Sequence, residues 1–592
     1  MIHDSNTLTA RLGAAPAVHA RSRRDHPEAA PEAAPHRRAD AAGGTPEPFT
    51  LGDALASYLA GLGVRHAYGV LSIHNMPLLD ALGRDGRIRY ICARGEAGAV
   101  GMADACARVT GQLGVAFTST GTGAGNAAGA LVEALTAGTP LLHITGQVAV
   151  DYLDRGRSYV HETKDQLSML RSVSKAALRV HTADTAMAVL QEAVRLATTA
   201  PTGPVSVEIP IDLQGAPLDG WSMPPIEQPP LVAPDEKALA ALADRLAIAR
   251  RPVLWVGGGA RHAGDSVRRL RDMGFAVVTT LQARGTLAED EPGTLGAFNG
   301  QPAVEAFYDT CDAMLVVGSR LRVPETLTHT LRLPRPLYQI DADALAQNRA
   351  YPTDAFVRGD SALALTRLVE LLEGRMRCDP ELHEDAARAR SRAAKGMRAA
   401  VAPYDRIADA LQGVCGRDFN WVRDVTIANS TWGNRLFQVF EPGQGVHATG
   451  GGIGQGLAMA IGAATGRPDR KTWLLAGDGG FMLNIGELAT AVQECRGLVM
   501  LVMNDGGYGI LRNLQDADYG GRRYYADLHG FDLRLLAASV GAMYYRVDHM
   551  DAVDSVLTQA AELDAPVTLV EFDMNAIGPF AKPFTGPPLG KG

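Results

Sequence analysis

Short apolar runs alternate along most of this chain with segments that have the periodicity of amphipathic helices. The clearest example begins with an apolar run at 472–476, which ends in a Gly-Asp-Gly turn at 477–479 and leads to a helical pattern at 485–494. A second apolar run follows at 498–503, so the segment predicts a right-handed βαβ unit with parallel strands. Because ligands in such sheets bind at the carboxyl edge of the strands, we expect Asp478 and Asn504 to lie side by side there.

The same alternation recurs in the rest of the chain. Strands and helices alternate between residues 49 and 211, where an apolar run at 90–93 precedes a helical segment and a run at 114–119 precedes a glycine-rich turn and helix at 120–131. Further strands are expected at 253–256, 276–279, 313–317 and 336–340.

The polar groups that follow the apolar runs at 472–476 and 498–503 have the chemistry of a site for magnesium and a diphosphate. Magnesium prefers near-octahedral oxygen coordination and usually keeps phosphate oxygens among its ligands. The Asp478 carboxylate, the Asn504 amide oxygen and the Gly506 carbonyl would leave positions for a diphosphate and water. Gly477 and Gly479 would let the backbone approach the phosphates. A lone Gly-Asp-Gly is usually an ordinary turn, but the second ligand at this interval favours the binding site.

Together with the wider segment 450–509, this pattern resembles the signature of enzymes that use thiamine diphosphate. The resemblance is to the superfamily of acetolactate synthase, benzoylformate decarboxylase and benzaldehyde lyase, and it covers nearly everything after residue 48. One departure is Asp505, where many relatives carry a second Asn. Since the expected side-chain ligand is Asn504, this departure changes little.

The resemblance implies an α/β fold with three doubly wound parallel-sheet domains. We predict a pyrimidine-binding domain at 49–216, a middle domain at 235–372 and a diphosphate-binding domain at 404–583. Residues 1–48 are rich in Ala, Pro, Arg, His and Glu without a periodic apolar face, so they are predicted to be a disordered tail. Residues 584–592 are predicted to be a C-terminal tail.

The segment Arg94-Gly95-Glu96 matches the catalytic glutamate segment of this family. In such enzymes the carboxyl contacts N1′ of the cofactor's aminopyrimidine, which implies that Glu96 is the proton relay. That role needs a carboxyl able to share a proton near neutral pH, which burial would promote. The alternative is a helix N-terminal Glu that stabilises the macrodipole. The distant diphosphate motif favours the catalytic role.

Several further residues match cofactor-binding positions of the family. In the glycine-rich segment at 450–456, Ile453 would prop the cofactor into its bent conformation, although it could be ordinary core. Ser430 stands where relatives bind the diphosphate with hydroxyls, although a helix N-cap explains it nearly as well. The predicted cofactor-binding residues are Gly451, Ile453, Gly477, Asp478, Gly479, Asn504, Gly506, Tyr508, Asn126 and Ser430.

Two histidines, His74 and His161, are predicted to act in catalysis. His74 lies where relatives have a loop that borders the substrate cavity. His161 stands roughly where acetolactate synthases carry a Gln-Glu pair, and the segment 161–166 looks like a group that includes guanidino-oxoacid decarboxylases. Either imidazole could donate a proton near neutral pH, or could simply bond to loop backbone. The histidine that benzoylformate decarboxylases place at Ser119 is absent.

Composition narrows the function classes. The net charge of −8 gives no basic footprint, so we expect no nucleic-acid partner. The 6 cysteines show no metal-type spacing and are interpreted as reduced thiols of a cytoplasmic protein. No apolar run has membrane-spanning length and the N-terminus lacks a secretory apolar region, so no membrane partner is expected.

The resemblance implies an enzyme that uses thiamine diphosphate and Mg²⁺ to decarboxylate a 2-oxo acid. We predict a carboligase similar to acetolactate synthase, which then joins the product to a second carbonyl of an aldehyde or ketone acceptor. The alternatives are a simple decarboxylase that releases an aldehyde and a catalytically silent regulatory relative. In this family the residues that match Glu96 and Asp478 come from different subunits, which implies a homodimer at minimum, with a homotetramer common.

The glycine-rich segment 256–262 raises a nicotinamide or flavin oxidoreductase as a rival class. No third glycine falls at the required place, so this alternative is disfavoured. Acetolactate synthases bind FAD structurally across the middle domain whereas benzoylformate decarboxylases do not, so FAD stays an open expectation.

Overall fold

The structure is a computed structural model that describes residues 48–226, 229 and 231–586. The predicted disordered tail, apart from Pro48, lies outside the described residues, and so do positions 587–592 of the predicted C-terminal tail.

Within these ranges, 18 strands form three six-stranded sheets in which all pairs of strands are parallel. The first sheet contains β1 (His66–Gly69), β2 (Arg89–Cys92), β3 (Gly114–Thr118), β4 (Leu141–Gln147), β5 (Ala176–Arg179) and β6 (Pro204–Pro210). The second contains β7 (Pro252–Val256), β8 (Ala276–Thr279), β9 (Thr294–Gly296), β10 (Ala313–Val317), β11 (Leu337–Asp341) and β12 (Ala355–Arg358). The third contains β13 (Phe419–Arg423), β14 (Gly445–His447), β15 (Lys471–Gly477), β16 (Leu498–Asn504), β17 (Met543–Val547) and β18 (Val567–Asp573).

Helices connect and cover these strands. They are α1 (Leu51–Gly61), α2 (Met76–Asp85), α3 (Glu96–Thr110), α4 (Thr122–Ala137), α5 (Gln166–Val173), α6 (Ala183–Thr198), α7 (Ile211–Gln214), α8 (Glu236–Leu246), α9 (Gly264–Asp272), α10 (Pro302–Tyr308), α11 (Ser361–Leu372), α12 (Leu382–Val401), α13 (Asp405–Cys415), α14 (Gly456–Gly466), α15 (Asp478–Leu483), α16 (Glu487–Glu494), α17 (Gly509–Asp518), α18 (Leu533–Val540), α19 (Val553–Glu562) and α20 (Met574–Ile577). The predicted α/β fold with three doubly wound parallel sheets is confirmed.

The first and third sheets have the same strand order, and the second differs. The order is β2-β1-β3-β4-β6-β5 in the first sheet and β14-β13-β15-β16-β18-β17 in the third. The second sheet has the order β12-β11-β10-β7-β8-β9, in which β7 to β9 extend to one side and β10 to β12 to the other, so the strand order reverses between β7 and β10. Such a reversal opens a crevice at the carboxyl ends of the two strands concerned.

The predicted βαβ unit is present, with one difference in its helix. β15 and β16 pair in parallel, with Gly477 opposite Met503, and both strands are mostly buried. The predicted turn at 477–479 instead begins a short helix, α15, and the second helix starts at Glu487 rather than at residue 485. Helix ends are the least determined part of a periodicity pattern, because the apolar face continues into the connecting turn.

Two helices of small residues bring the first and third sheets close together. Helix α3 packs on α14, and both contribute to one apolar core. A Cβ at Gly462 would lie 2.0 Å from the Met102 carbonyl, so this approach requires a glycine. The buried Tyr68 hydroxyl and Thr465 Oγ1 are 2.8 Å apart across the same contact. The close packing fixes the carboxyl edges of the two sheets relative to each other.

No helix in the described part of the chain is long and apolar enough to cross a membrane. All 6 cysteines are free thiols.

Candidate active site

The carboxyl edge of the first sheet carries Glu96. This residue begins α3, shortly after β2, and its Oε2 accepts a hydrogen bond from Asn126 Nδ2 at 3.1 Å. A Cβ at Gly123 would lie 2.8 Å from Glu96 Oε1 and 2.7 Å from the Ser119 Cβ. The glycine-rich start of α4 therefore lies directly against the half-buried Glu96 carboxyl.

Both histidines predicted to be catalytic lie near one another at this edge. His74 is 2% exposed and its Nδ1 has no hydrogen-bond partner within the protein, whereas His161 is exposed. Their ring centroids are 5.1 Å apart, and His161 Nδ1 lies 3.5 Å from Thr122 Oγ1 at the start of α4. Burial, followed by the neighbouring His161, lowers the pKa of His74. His74 is therefore a neutral imidazole at neutral pH, next to a second ring that water can reach.

Two glycines explain how the histidine loops reach this position. Gly121 has a φ of +59°, and a Cβ there would lie 2.0 Å from the His161 carbonyl oxygen. A Cβ at Gly146, near the end of β4, would lie 2.2 Å from the His74 carbonyl oxygen. Only glycine at these two positions lets both backbones approach the strand ends.

At the carboxyl edge of the third sheet, Asp478 and Asn504 lie on neighbouring strands. Asp478 follows β15 directly and is 5% exposed, and Asn504 is the last residue of β16. Burial and the nearby charge of Asp505 raise the pKa of Asp478 to about 6. Asp505 itself pairs with Arg512 at 2.7 Å. The edge therefore collects carboxylate and amide oxygens, and a divalent cation bound by them would neutralise the charge of the carboxylates.

The Asn504 amide is held at both ends. Its Oδ1 accepts the Gly506 N–H at 3.2 Å, and its Nδ2 donates to Glu571 Oε1 at 2.7 Å. Gly506 has a φ of +75°, and its carbonyl accepts the Leu528 N–H at 3.0 Å, so one lone pair of this oxygen is already used. The predicted metal ligands Asp478, Asn504 and Gly506 thus lie at one edge of the third sheet, directly after β15, at the end of β16 and in the turn that follows β16.

A loop at 450–456 presents Ile453, which is 36% exposed, between two buried carboxylates that sequence reasoning missed. Glu133 accepts the N–H groups of Gly450 at 2.6 Å and Gly452 at 2.7 Å. Asp424 accepts the Gly454 N–H at 3.0 Å, and burial raises its pKa to about 6. An acidic residue inside an otherwise apolar segment was the available signal, since such a residue needs donors when it is buried.

Glu487 was also missed, and it links the third sheet to the loop of Glu96. It is 2% exposed, and its Oε1 accepts the N–H groups of Arg94 at 2.9 Å and Gly95 at 3.0 Å. Its Oε2 accepts the Thr490 hydroxyl at 2.7 Å. The residue just before α3 is therefore positioned by a carboxylate from α16.

The other predicted cofactor-binding residues lie around the third sheet. A Cβ at Gly479 would lie 2.8 Å from the Tyr508 ring, and Gly451 has a φ of +92° in the exposed loop beside Ile453. Ser430 belongs to a π-helical turn at Asn429–Gly433, so the alternative that it is an ordinary N-cap residue does not describe its local structure.

The residues form two groups, and their chemistry fits thiamine diphosphate with a magnesium ion. Glu96, Asn126 and the two histidines form one group at the edge of the first sheet, and Asp478, Asn504 and Gly506 form the other at the edge of the third sheet. No three His, Cys, Asp or Glu side chains of the described ranges gather into a metal site, so a metal here would need amide, carbonyl and phosphate oxygens as well. The buried Asn429 Oδ1, Gln455 Oε1 and Ser119 Oγ have no partner within the protein. Unpaired buried polar atoms of this kind suit a polar ligand.

Comparison with known proteins gives the same assignment over most of the chain. The model "Thiamine pyrophosphate enzyme, N-terminal TPP binding domain" matches residues 49–169, the central-domain model matches 239–368, and the C-terminal TPP binding domain model matches 427–571. A Pseudomonas aeruginosa protein named "Probable 2-ketoarginine decarboxylase" is 33% identical over 477 residues, which are 78% of this chain and 84% of the relative.

Two further similarities extend over more of the chain. The catabolic acetolactate synthase of Raoultella terrigena is 27% identical over 533 residues, 87% of this chain and 94% of that enzyme. A solved structure from Mycobacterium smegmatis, described as a candidate thiamin diphosphate-dependent enzyme, superposes with a TM-score of 0.73 at 25% identity and covers 89% of this chain and 99% of that one. The chain therefore belongs to the thiamine pyrophosphate enzyme family and is a thiamine diphosphate-dependent enzyme.

Proposed function

We propose that this enzyme decarboxylates a 2-oxo acid with thiamine diphosphate and Mg²⁺ and releases the aldehyde. The observation that carries the proposal is the pair of imidazoles, His74 and His161, 5.1 Å apart at the edge that also carries Glu96. The sequence by itself favours carboligation, because the histidine that benzoylformate decarboxylases place at Ser119 is absent and the chain resembles acetolactate synthase. His74 and His161 would instead supply the proton that an aldehyde product requires.

The protein residues would bind, orient and move protons. When bound, thiamine diphosphate supplies the electron sink for loss of carbon dioxide. Asp478, Asn504 and the Gly506 carbonyl would hold Mg²⁺, while Gly477, Gly479, Tyr508 and Ser430 would line the diphosphate, and Gly451 and Ile453 the rest of the cofactor. Glu96, oriented by Asn126, would hold the proton exchanged with the cofactor's ring nitrogen.

The two histidines would have different roles in delivering a proton to the substrate. His161 is open to water and would pass protons to the His74 ring, whose centroid lies 5.1 Å away. His74 is buried, and its lowered pKa keeps it neutral, so its ring accepts or relays a proton without carrying a stable charge. One proton shared between the two rings would place a donor beside the substrate end of the site.

A guanidino 2-oxo acid is the first substrate to test. The Pseudomonas aeruginosa relative is named for 2-ketoarginine, and the segment 161–166 resembles that group at the place where acetolactate synthases differ. A carboligase is the second candidate, because acetolactate synthase relatives are similar over most of this chain.

We propose a homodimer as the minimum unit, and a homotetramer as the larger assembly, in the cytoplasm. Large apolar side chains are exposed near both edges: Ile73 at 65% and Val160 at 61% near the first sheet, and Leu483 at 54% near the third. A second copy that brought its first sheet to the third sheet of its partner would cover these side chains and join the two groups of site residues.

We propose the crevice of the second sheet as the place for FAD, if this enzyme carries it. A cavity of about 430 Å³ there is lined by Gly258, Gly318, Arg320 and Asp341. The buried Thr280 Oγ1 lines the same cavity without a partner in the protein. Purified protein with visible flavin absorbance supports FAD, and colourless protein that takes up no added FAD contradicts it.

The test is carbon dioxide release with NMR of the products, for a panel of 2-oxo acids with and without aldehyde acceptors. Release with an aldehyde as sole product, abolished in Glu96→Gln and lowered in His161→Gln, supports the proposal. A 2-hydroxyketone product would replace it with the carboligase. Saturable cofactor binding without release from any 2-oxo acid would contradict both and favour a silent relative.

A further inference from the structure

Three side chains on neighbouring strands form a hydrogen-bonded chain that ends at Asn504. The Tyr544 hydroxyl of β17 donates to Glu571 Oε2 of β18 at 2.5 Å, and Asn504 Nδ2 of β16 donates to Glu571 Oε1 at 2.7 Å. All three are half-buried. In the strand register Glu571 lies opposite Val502 of β16 and Arg546 of β17. Asn504 is two positions from Val502, and Tyr544 is two positions from Arg546. Because side chains two positions apart on a strand lie on the same face, Asn504, Glu571 and Tyr544 share one face of the sheet.

The donors and acceptors of this chain fix the direction of the Asn504 amide. An ionised carboxylate has only acceptors, so Glu571 can face only the NH₂ end of the amide. At the other end, the Gly506 N–H can face only the amide oxygen, which it reaches at 3.2 Å. A flipped amide would set oxygen against carboxylate and NH₂ against N–H. Tyr544 occupies the second oxygen of Glu571, which keeps that carboxylate in place.

We propose that Glu571 and Tyr544 are positioning residues that hold the Asn504 oxygen toward the metal and so set the affinity of the site for Mg²⁺. The proposal rests on the proposed function, in which Asn504 is a metal ligand. Partners behind a metal ligand determine its orientation, and their loss typically lowers metal affinity tenfold to a hundredfold.

The experiment is a Mg²⁺ titration of thiamine diphosphate binding, followed by tryptophan fluorescence and calorimetry, on the full-length enzyme. Glu571→Leu should raise the apparent dissociation constant for Mg²⁺ by about tenfold to a hundredfold. Glu571→Gln should recover most of the affinity, because its carbonyl can still accept from Asn504 while its NH₂ donates to the Tyr544 oxygen. The apparent dissociation constant of Tyr544→Phe for Mg²⁺ should lie between those of the wild type and Glu571→Leu.

Matched controls separate positioning from general damage. Tyr545→Phe removes the hydroxyl of the next residue on β17, which faces the opposite side, and Glu562→Gln removes a carboxylate at the end of α19. Both should leave the Mg²⁺ titration unchanged. The thermal unfolding midpoint of each variant without metal and cofactor reports any loss of folding. If Glu571→Leu fails to fold, the Mg²⁺ titration of Tyr544→Phe tests the positioning role instead.

The outcomes also distinguish this proposal from the proposed function. A Glu571→Leu or Tyr544→Phe titration that coincides with the wild type overturns the positioning role and leaves the proposed function intact. A wild-type enzyme that binds thiamine diphosphate equally well without divalent metal overturns the metal site, and this proposal with it. An equal loss of affinity in Glu571→Gln and Glu571→Leu would show that charge, rather than amide direction, matters, and would also contradict it.

Discussion

The first and third sheets share one strand order, yet their carboxyl edges carry different chemistry. The first edge presents a carboxyl at the start of α3 and two imidazoles, which are groups that move protons. The third presents Asp478 and the Asn504 amide oxygen, which are groups suited to bind a cation. Topology supplies two equivalent edges, and in the proposed function the side chains at the strand ends give each edge its own part of the chemistry.

The largest effect is expected from single substitutions at the two edges, which should affect different steps. Glu96→Gln should lower the turnover rate by about 10²- to 10⁴-fold, the usual contribution of a general acid–base group, with little change in cofactor affinity. Asp478→Asn should instead weaken Mg²⁺-dependent cofactor binding. Steady-state kinetics and calorimetry on both variants check this division. Loss of cofactor binding in Glu96→Gln would show that the edges do not differ as described.

A single methyl group tests how closely the first edge depends on the glycine-rich start of α4. Gly123→Ala would place a Cβ 2.8 Å from Glu96 Oε1, so we expect the carboxyl to move and the turnover rate to fall by about a hundredfold. Gly125→Ala lies two residues further along α4, where a Cβ meets nothing within 4 Å. It is the matched control and should retain activity. Equal activity of the two variants would contradict the assigned role of Gly123.

The pH dependence of stability tests the buried carboxylate below the third edge. The pKa of Asp424 is about 6 in the fold against an ordinary 3.8, so its stabilising contribution is complete below about pH 3.8 and is lost as the pH rises through about 6. The free energy of unfolding of the wild type minus that of Asp424→Asn should therefore fall by up to about 3 kcal/mol over this range. Denaturant unfolding at several pH values measures the difference, and a difference that does not change with pH contradicts it.

The smallest effect expected is at the third edge. Gly479→Ala would bring a Cβ to 2.8 Å from the half-buried Tyr508 ring, which can shift. We expect a loss of about 1 kcal/mol in cofactor binding, at the low end of overpacking effects. Gly413→Ala on α13, where a Cβ meets nothing within 4 Å, is the control. Unchanged affinity in Gly479→Ala would place the cofactor away from Tyr508.

Much of the fold could be predicted because parallel strands buried on both faces appear as continuous apolar runs. The runs at 276–279 and 313–317 coincide with β8 and β10. Local pattern could not show that residue 478 begins a helix, because glycine-rich segments give no helical periodicity.

The candidate site was predictable only where its residues are close in sequence. The interval between Asp478 and Asn504 is set by one crossover, so it is visible in the chain. Glu487 and Glu133 act on backbone groups 393 and 317 residues away, so no local pattern could reveal them. The Glu571 contact with Asn504 is likewise a product of strand order, which brings β18 beside β16.

We propose that the two edges are halves of one site contributed by two copies of the chain. The most direct measurement is the activity of a purified hetero-oligomer in which one copy carries Glu96→Gln and the other Asp478→Asn, obtained by co-expression with two affinity tags. If each site draws Glu96 from one copy and Asp478 from the other, one intact site forms, and activity returns although both parent variants are inactive. A pure hetero-oligomer as inactive as its parents would contradict the account.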